Sequence, residues 1–389
     1  MPWRWRAFET IPGRYDTKQE AGAMSGFPYF AFAGSPVEIG RQHGEQARDL
    51  IHQHIEMATG KLRAAGIDAD ESRRRAALYM PYIQQYTPKF AEELTGLAEG
   101  ANITIEEAYM LQLRAELQTT DFDAEGSEAA AEAREAIANE CTTFAIAGEL
   151  TADGVPIAGQ NADLPAPTRE LGVVMKVTPD DGRPEILMLT PAGQISYIGI
   201  SGNGMAAFAN FINTTGWRAG FPRYFLSRTA LEEDSVADAR KRLASMRRAS
   251  SRNLILMGRD GDAVDLELAV EREGVIEPEN GVITHANHFC SPAVLDEEQA
   301  KGDRLKNSCT RHERMRELIE SKRGSITVDD TIEFFRDRAH APDAICRHEG
   351  DGPGDYMTFA SVIARPSLGE LYVAPGPPDK HEYTRYALA

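Results

Sequence analysis

A cysteine at position 141 stands where an acidic, alanine-rich segment gives way to a strand pattern, in Asn139-Glu140-Cys141-Thr142-Thr143-Phe144-Ala145-Ile146-Ala147-Gly148. The strand reaches Leu150, turns at Thr151-Ala152-Asp153-Gly154 and returns from Val155 to Asp163. Asp-Gly between two apolar runs is a strong hairpin signal. Pairing across the turn brings Asp163 back beside Cys141. A thiol at the mouth of a hairpin with a carboxylate facing it can serve as a nucleophile. The same residues also fit a small cysteine that is buried and only packs.

Other residue types that could do chemistry are weaker as bare signals. His43 lies in Gly40-Arg41-Gln42-His43-Gly44, where two glycines four apart suit close helix packing, and it reads as a packed or surface histidine. His285 and His288 sit in His285-Ala286-Asn287-His288-Phe289 and read as structural. Cys141, Cys290, Cys309 and Cys346 show neither Cys-x-x-Cys nor mixed Cys/His ligand spacing, so no metal site is expected. Ser308, Arg311 and Arg314 fall on one helix face and read as makers of structural salt bridges.

Cys141-Thr142-Thr143-Phe144 followed by Gly159-Gln160-Asn161-Ala162-Asp163 resembles the start of the mature nucleophile chain in the acyl-coenzyme A:6-aminopenicillanate acyltransferase family. The stretch from Gly34 to Gly44 and the run Glu92–Ala101 are similar to further signatures of that family. The resemblance spans most of the chain, from about Gly34 to Pro378. It implies an N-terminal-nucleophile hydrolase that cuts itself between Glu140 and Cys141. The fold it implies is α+β, a four-layer α/β/β/α sandwich. It assigns Asp163 to hold the new amine and a neighbouring arginine, Asn287 to the oxyanion, and Arg347 to a place near the nucleophile. A bidentate guanidinium at Arg347 could pair Asp163 and also meet a substrate carboxylate.

The chemistry gives a reason for cleavage. A freed Cys141 owns an α-amino group with a pKa of about 7.7–8.0, close to where a general base works best at neutral pH. Attack of the thiol on the Glu140 carbonyl would give a thioester that water hydrolyses. The same thiol would then take the acyl group of a small-molecule amide and pass it to water or an amine, with no cofactor. Two other readings stay open: a member left uncut by Glu140, acting as a binding or structural protein, and a thiol hydrolase with a Cys/His pair that works without cleavage.

At 389 residues, 42% hydrophobic and 26% charged, the chain has the composition of a globular protein with a substantial core. A net charge of −18 argues against nucleic acid and anionic membrane as partners. No stretch approaches the roughly 20 apolar residues that span a bilayer, and no secretory leader follows the basic start, so a cytoplasmic location is expected. The first 23 residues read as a tail ahead of Met24.

The elements that must position these groups fall into three regions. Residues 1–33 hold the tail and a strand over Phe27–Ala33. Residues 34–140 are helical, opening at Ser35-Pro36 with a Ser/Glu capping box and running on through Ile55. Further helices are expected over Ala77–Tyr86, Pro88–Gly100 and Ile105–Gln118. The acidic linker over 121–140 holds seven acidic residues, seven alanines and one basic residue. Residues 141–389 are strand-rich, with hairpins across 179–182, 201–204 and 259–262, helices near Tyr224–Thr229, Ser235–Met246, Cys309–Ser321 and Thr327–Arg338, and a last hairpin of Thr358–Ala364 with Glu370–Ala374. Hairpins interspersed with helix pairs suit two sheets face to face with helices outside.

Overall fold

The computed structural model describes residues 26–113, 115–119, 140–351 and 356–388. The expected tail and the acidic linker up to position 139 lie outside the described residues. An eight-stranded sheet has the order β1 (Tyr29–Gly34), β4 (Gly172–Pro179), β5 (Ile186–Pro191), β6 (Ile198–Ser201), β7 (Ala206–Asn210), β8 (Arg252–Met257), β9 (Ala263–Leu268), β10 (Glu273–Ile276). A six-stranded sheet has the order β11 (Val282–His285), β2 (Glu140–Ile146), β3 (Ile157–Pro165), β12 (Tyr356–Arg365), β13 (Glu370–Ala374), β14 (Thr384–Ala387). All pairings are antiparallel except β1 with β4.

The sheets meet through β2 and β3 against β7, and helices cover both outer faces. On the eight-stranded sheet lie α1 (Pro36–Gln46), α8 (Arg223–Leu231) and α9 (Val236–Ala244). On the six-stranded sheet lie α10 (Gly302–Ser321) and α11 (Val328–Arg336). This is the expected α/β/β/α order. Being covered on both faces explains why β5, β8 and β9 are buried at every position and read as unbroken runs rather than alternating ones.

The helical region departs from the expected boundaries. The first helix stops at Gln46 and a second, α2 (Arg48–Ala64), starts beyond Ala47. The chain breaks again between α3 (Ala69–Ala77) and α4 (Met80–Tyr86), and α6 (Ile105–Met110) is separate from α7 (Glu116–Thr119). The Ser35/Glu38 capping box forms as expected, with Ser35 N donating to Glu38 Oε2 at 2.9 Å. Gly40 and Gly44 do serve close packing, against α5 (Pro88–Ala101). A Cβ on Gly40 would stand 1.8 Å from the Glu93 carbonyl oxygen, and one on Gly96 would stand 2.0 Å from that of Val37. The helices touch backbone to backbone, which fixes the layer that carries Glu93.

Residues on either side of position 140 are interlocked. β1 adds to β4 as an edge strand. Glu93 on α5 holds Arg228 on α8 in a buried bidentate pair, with contacts of 2.7 and 2.8 Å.

Candidate active site

The hairpin register sets Cys141 opposite Ala162 and Glu140 opposite Asp163. Side chains alternate across a strand, so Cys141 and Thr143 face the other sheet while Thr142 and Asp163 face the outer helices. Thr143 Oγ1 donates to Asn210 Oδ1 at 2.8 Å, and Asn210 Nδ2 donates to the Cys141 carbonyl at 3.3 Å. The cysteine is buried, 1% exposed. Burial and then the charge of Asp163 push its thiol up to about 11, opposed by the Asp163 backbone N–H and by Arg252 and Arg311. In the uncleaved chain the thiol is therefore protonated at neutral pH.

Asp163 is fully buried. Burial raises its carboxyl to about 7, against the Arg311 charge and a hydrogen bond from Thr358. Thr358 Oγ1 donates to Oδ1 at 2.7 Å, while Oδ2 accepts nothing among the described residues. Thr358 in turn accepts from the Arg347 backbone N–H at 3.0 Å and donates its own N–H to the Arg347 carbonyl. Arg347 is thus anchored one residue from Asp163, and its Nη2 donates to the Asp351 carbonyl at 2.5 Å. The guanidinium whose charge acts on Asp163 is that of Arg311.

Asn287 lies two residues past the end of β11. Its Oδ1 accepts from the Cys141 backbone N–H at 2.7 Å, and its Nδ2 donates to the Phe211 carbonyl at 2.8 Å. The residue expected at the oxyanion therefore holds the nitrogen that cleavage would free. Arg311, read as a structural salt-bridge residue, is corrected by its position. From α10 it donates to the Cys141 carbonyl (2.6 Å), Thr142 Oγ1 (2.9 Å) and Asn287 Oδ1 (3.0 Å), with Nε on Asn307 (2.8 Å). Ser308, one turn before it, accepts from the Asn287 backbone N–H at 2.7 Å. Arg314 does make the expected ion pair, with Asp337.

A second cation near the thiol was not singled out by spacing. Arg252 opens β8 and lies over the rings of Tyr224 and Tyr197, 4.7 and 5.6 Å from their centroids. It is 2% exposed, and its Nε and Nη2 have no hydrogen-bond partner among the described residues. Burial lowers its pKa, and the charge that a thiolate at Cys141 would carry acts against that lowering.

The histidines divide. His43 is packed, as expected: it stacks on Phe32, accepts the Gly193 N–H at 3.2 Å, and burial holds it down to about 3. His285 is buried against Glu267, 2.9 Å away. Burial opposes its protonation, but Asp265 and the hydrogen bonds of Cys290 and Glu267 prevail and raise its pKa. His288 meets two residues that linear spacing did not connect with it: Cys290, at 3.5 Å, and through that sulfur His312 of α10, at 3.8 Å.

A profile of the family described as acyl-coenzyme A:6-aminopenicillanic acid acyl-transferase matches residues 150–380, more than half the chain. Over 336 residues the chain is 28% identical to the acyl-coenzyme A:6-aminopenicillanic-acid-acyltransferase 40 kDa form of Emericella nidulans, spanning 85% of this chain and 87% of that protein. Among solved structures, a variant of the conjugated bile acid hydrolase from Clostridium perfringens overlays with a TM-score of 0.42 at 14% identity, over 64% of this chain and 97% of that one. The Caenorhabditis elegans ortholog of N-acylethanolamine-hydrolyzing acid amidase gives 0.44 at 12%, over 64% and 100%. Among the described residues, no helix is long and apolar enough to cross a membrane.

Proposed function

The chain belongs to the acyl-coenzyme A:6-aminopenicillanic acid acyl-transferase family, and we propose that it is a self-processing cysteine amidase or acyltransferase that forms a thioester on Cys141. The observation that carries this reading is the hold of Asn287 Oδ1 on the Cys141 nitrogen, 2.7 Å away, beside a buried thiol and a carboxylate. A buried thiol near 11 is a weak nucleophile toward an outside substrate. Attack on its own preceding carbonyl tolerates this, because well-oriented intramolecular reactions reach effective molarities of about 10⁵–10⁸ M.

In the first stage the Cys141 sulfur attacks the Glu140 carbonyl carbon. The C–N bond breaks, the nitrogen leaves as an amine carrying the thiol proton, and water hydrolyses the resulting thioester. The free amine keeps one N–H on Asn287 Oδ1, and its lone pair becomes available to take the thiol proton. As an ammonium it supplies the donor that Asp163 Oδ2 lacks.

In the second stage that amine takes the thiol proton and the thiolate attacks a linear amide. Arg311 holds the Cys141 carbonyl and Thr142, so the nucleophile's backbone does not shift as charge develops. The ammonium returns its proton to the leaving amine. Water or a second amine then resolves the thioester. Residues 1–140 stay bound to 141–389 through β1 on β4 and through Glu93 on Arg228. A carboxylate on the amine half of the substrate would meet Arg347, or Arg252 with its free donors.

Rapid quenching with a slow amide substrate, followed by peptide mapping, tests the reading. An acyl adduct on Cys141 is expected, and Cys141→Ala should be inactive. Full turnover in Cys141→Ala, or an adduct on Cys290 or Cys346 alone, overturns it.

A further inference from the structure

We propose that His288, Cys290 and His312 form a zinc site that braces the loop carrying Asn287. Their ligand atoms all lie within 4.8 Å of one another. The sulfur of Cys290 is 3.5 Å from His288 Nε2 and 3.8 Å from His312 Nδ1. Tetrahedral zinc with bonds of about 2.3 Å to sulfur and about 2.0–2.1 Å to nitrogen sets those two ligands roughly 3.6 Å apart. The two observed sulfur–nitrogen separations bracket that value, and the two ring nitrogens lie within 4.8 Å of each other, near enough for one ion to gather all three ligands.

The supporting shell is also in place. A ligating histidine donates its other ring N–H to a fixed acceptor, which orients the ring. His288 Nδ1 lies 2.7 Å from Ser308 Oγ, leaving the Nε2 lone pair directed at Cys290. Glu267 fixes the other ligand: its Oε1 accepts from the Cys290 backbone N–H at 2.6 Å and its Oε2 from that of Ser291 at 2.9 Å. With His285 also on Oε1, that carboxylate positions the cysteine rather than ligating. Two imidazoles and a thiolate form a soft-to-borderline donor set, which favours zinc among abundant divalent ions. Three protein ligands leave a fourth position for water.

The site is outside the catalytic groups yet tied to them. Ser308 Oγ holds both His288 and the Asn287 backbone N–H, each at 2.7 Å. An ion on His288 therefore fixes the turn that presents Asn287 to Cys141. Its role is structural, and no step of acyl transfer passes through it. This departs from the expectation drawn from linear spacing, because His312 arrives from α10 and not from the same loop.

The test titrates the metal-free full-length protein with Co²⁺, whose thiolate ligation gives a charge-transfer absorption in the near ultraviolet. One equivalent is expected to produce that band, and Zn²⁺ should displace it. Zn²⁺ should also raise the thermal midpoint of wild type and leave that of Cys290→Ser unchanged. His312→Gln should weaken binding by at least about 100-fold, and Ser308→Ala by about 10–100-fold as loss of an outer partner. If either variant fails to fold, the wild-type titration alone decides. Absence of a stoichiometric band in wild type, or its persistence in Cys290→Ser, overturns the proposal.

Discussion

The guanidinium of Arg311 donates to the carbonyl oxygen of Cys141 at 2.6 Å, from a helix 170 positions further along the chain. The same side chain reaches Thr142 Oγ1 and Asn287 Oδ1, so one residue fixes the backbone of the proposed nucleophile and the amide that holds its nitrogen. Hydrogen bonds to a charged group are each worth about 1.5–3 kcal/mol. Arg311→Ala should therefore lose more than about 3 kcal/mol of stability and nearly all processing. Arg311→Lys keeps the charge but not the planar fork, and should restore stability in part while leaving processing slow. Urea unfolding and intact mass give the two readouts. Wild-type processing in Arg311→Lys would leave Arg311 a packing residue.

A pH signature follows from Asp163. Burial raises its carboxyl from the ordinary range to about 7 in the uncleaved fold. The folded state then binds a proton that the unfolded chain releases near pH 4. The stability linked to this proton is present below pH 4 and is lost as pH rises through about 7. In a Cys141→Ala background, which stays uncut, Asp163→Asn should gain a few kcal/mol, on the order of 2–4, above pH 7. The gain should vanish near pH 4. Denaturant midpoints across that range check this, and a gain independent of pH would contradict it.

The buried pair of Glu93 and Arg228 joins residues on either side of the proposed cut. Both groups are desolvated, and removing Glu93 leaves the buried Arg228 with Glu232 alone, 3.3 Å from its Nε, at a cost of up to about 3–5 kcal/mol. Glu93→Ala is expected to unfold at lower urea and, once cut, to release residues 1–140 on dilution. A midpoint within error of wild type would mean that the helix packing around Gly40 and Gly96 alone holds the layer.

Substrate polarity distinguishes the two arginines near the site. An amide whose amine half carries a carboxylate should be turned over faster than its methyl ester. One charge-assisted hydrogen bond of about 1.5–3 kcal/mol corresponds to about 10–100-fold in kcat/KM. Arg252→Met should remove that preference while keeping turnover of the ester. Arg347→Lys should lower turnover of both. Loss of the acid preference in Arg347→Lys with none in Arg252→Met would place the carboxylate on Arg347 instead, as the family resemblance implies.

Cys141 and Asp163 were legible because one hairpin carries both, but its turn was not: β2 stops at Ile146 instead of reaching Leu150, a 3₁₀ turn fills Gly148–Leu150, and β3 starts at Ile157, which sets Asp163 opposite Glu140. Asn287 and Arg347 came only through family resemblance, since a strand-end asparagine and a lone arginine look ordinary by themselves. Arg311 was read as a maker of structural salt bridges because Arg304, Lys306, Arg314 and Arg316 make α10 look solvated. The usable signal was helical phase: Ser308, Arg311, Met315 and Ile319 are buried on one stripe, three to four residues apart. An arginine in an apolar stripe is a buried arginine. Strands β10 and β14 went unread because each has only four residues and neither is fully buried, so neither builds a periodic pattern. Cys290 and His312 are joined only by the packing of α10 against β11, which no linear spacing records.

The central claim is that the Glu140–Cys141 bond is cut and the freed Cys141 does the chemistry. Intact mass under denaturing conditions, taken on active protein and on Cys141→Ala, tests it most directly. The account expects active wild type to resolve into two chains, residues 1–140 and 141–389, with cysteine at the new amino terminus, and Cys141→Ala to remain one chain of 42.8 kDa. A fully active wild type that runs as a single 42.8 kDa species would contradict it.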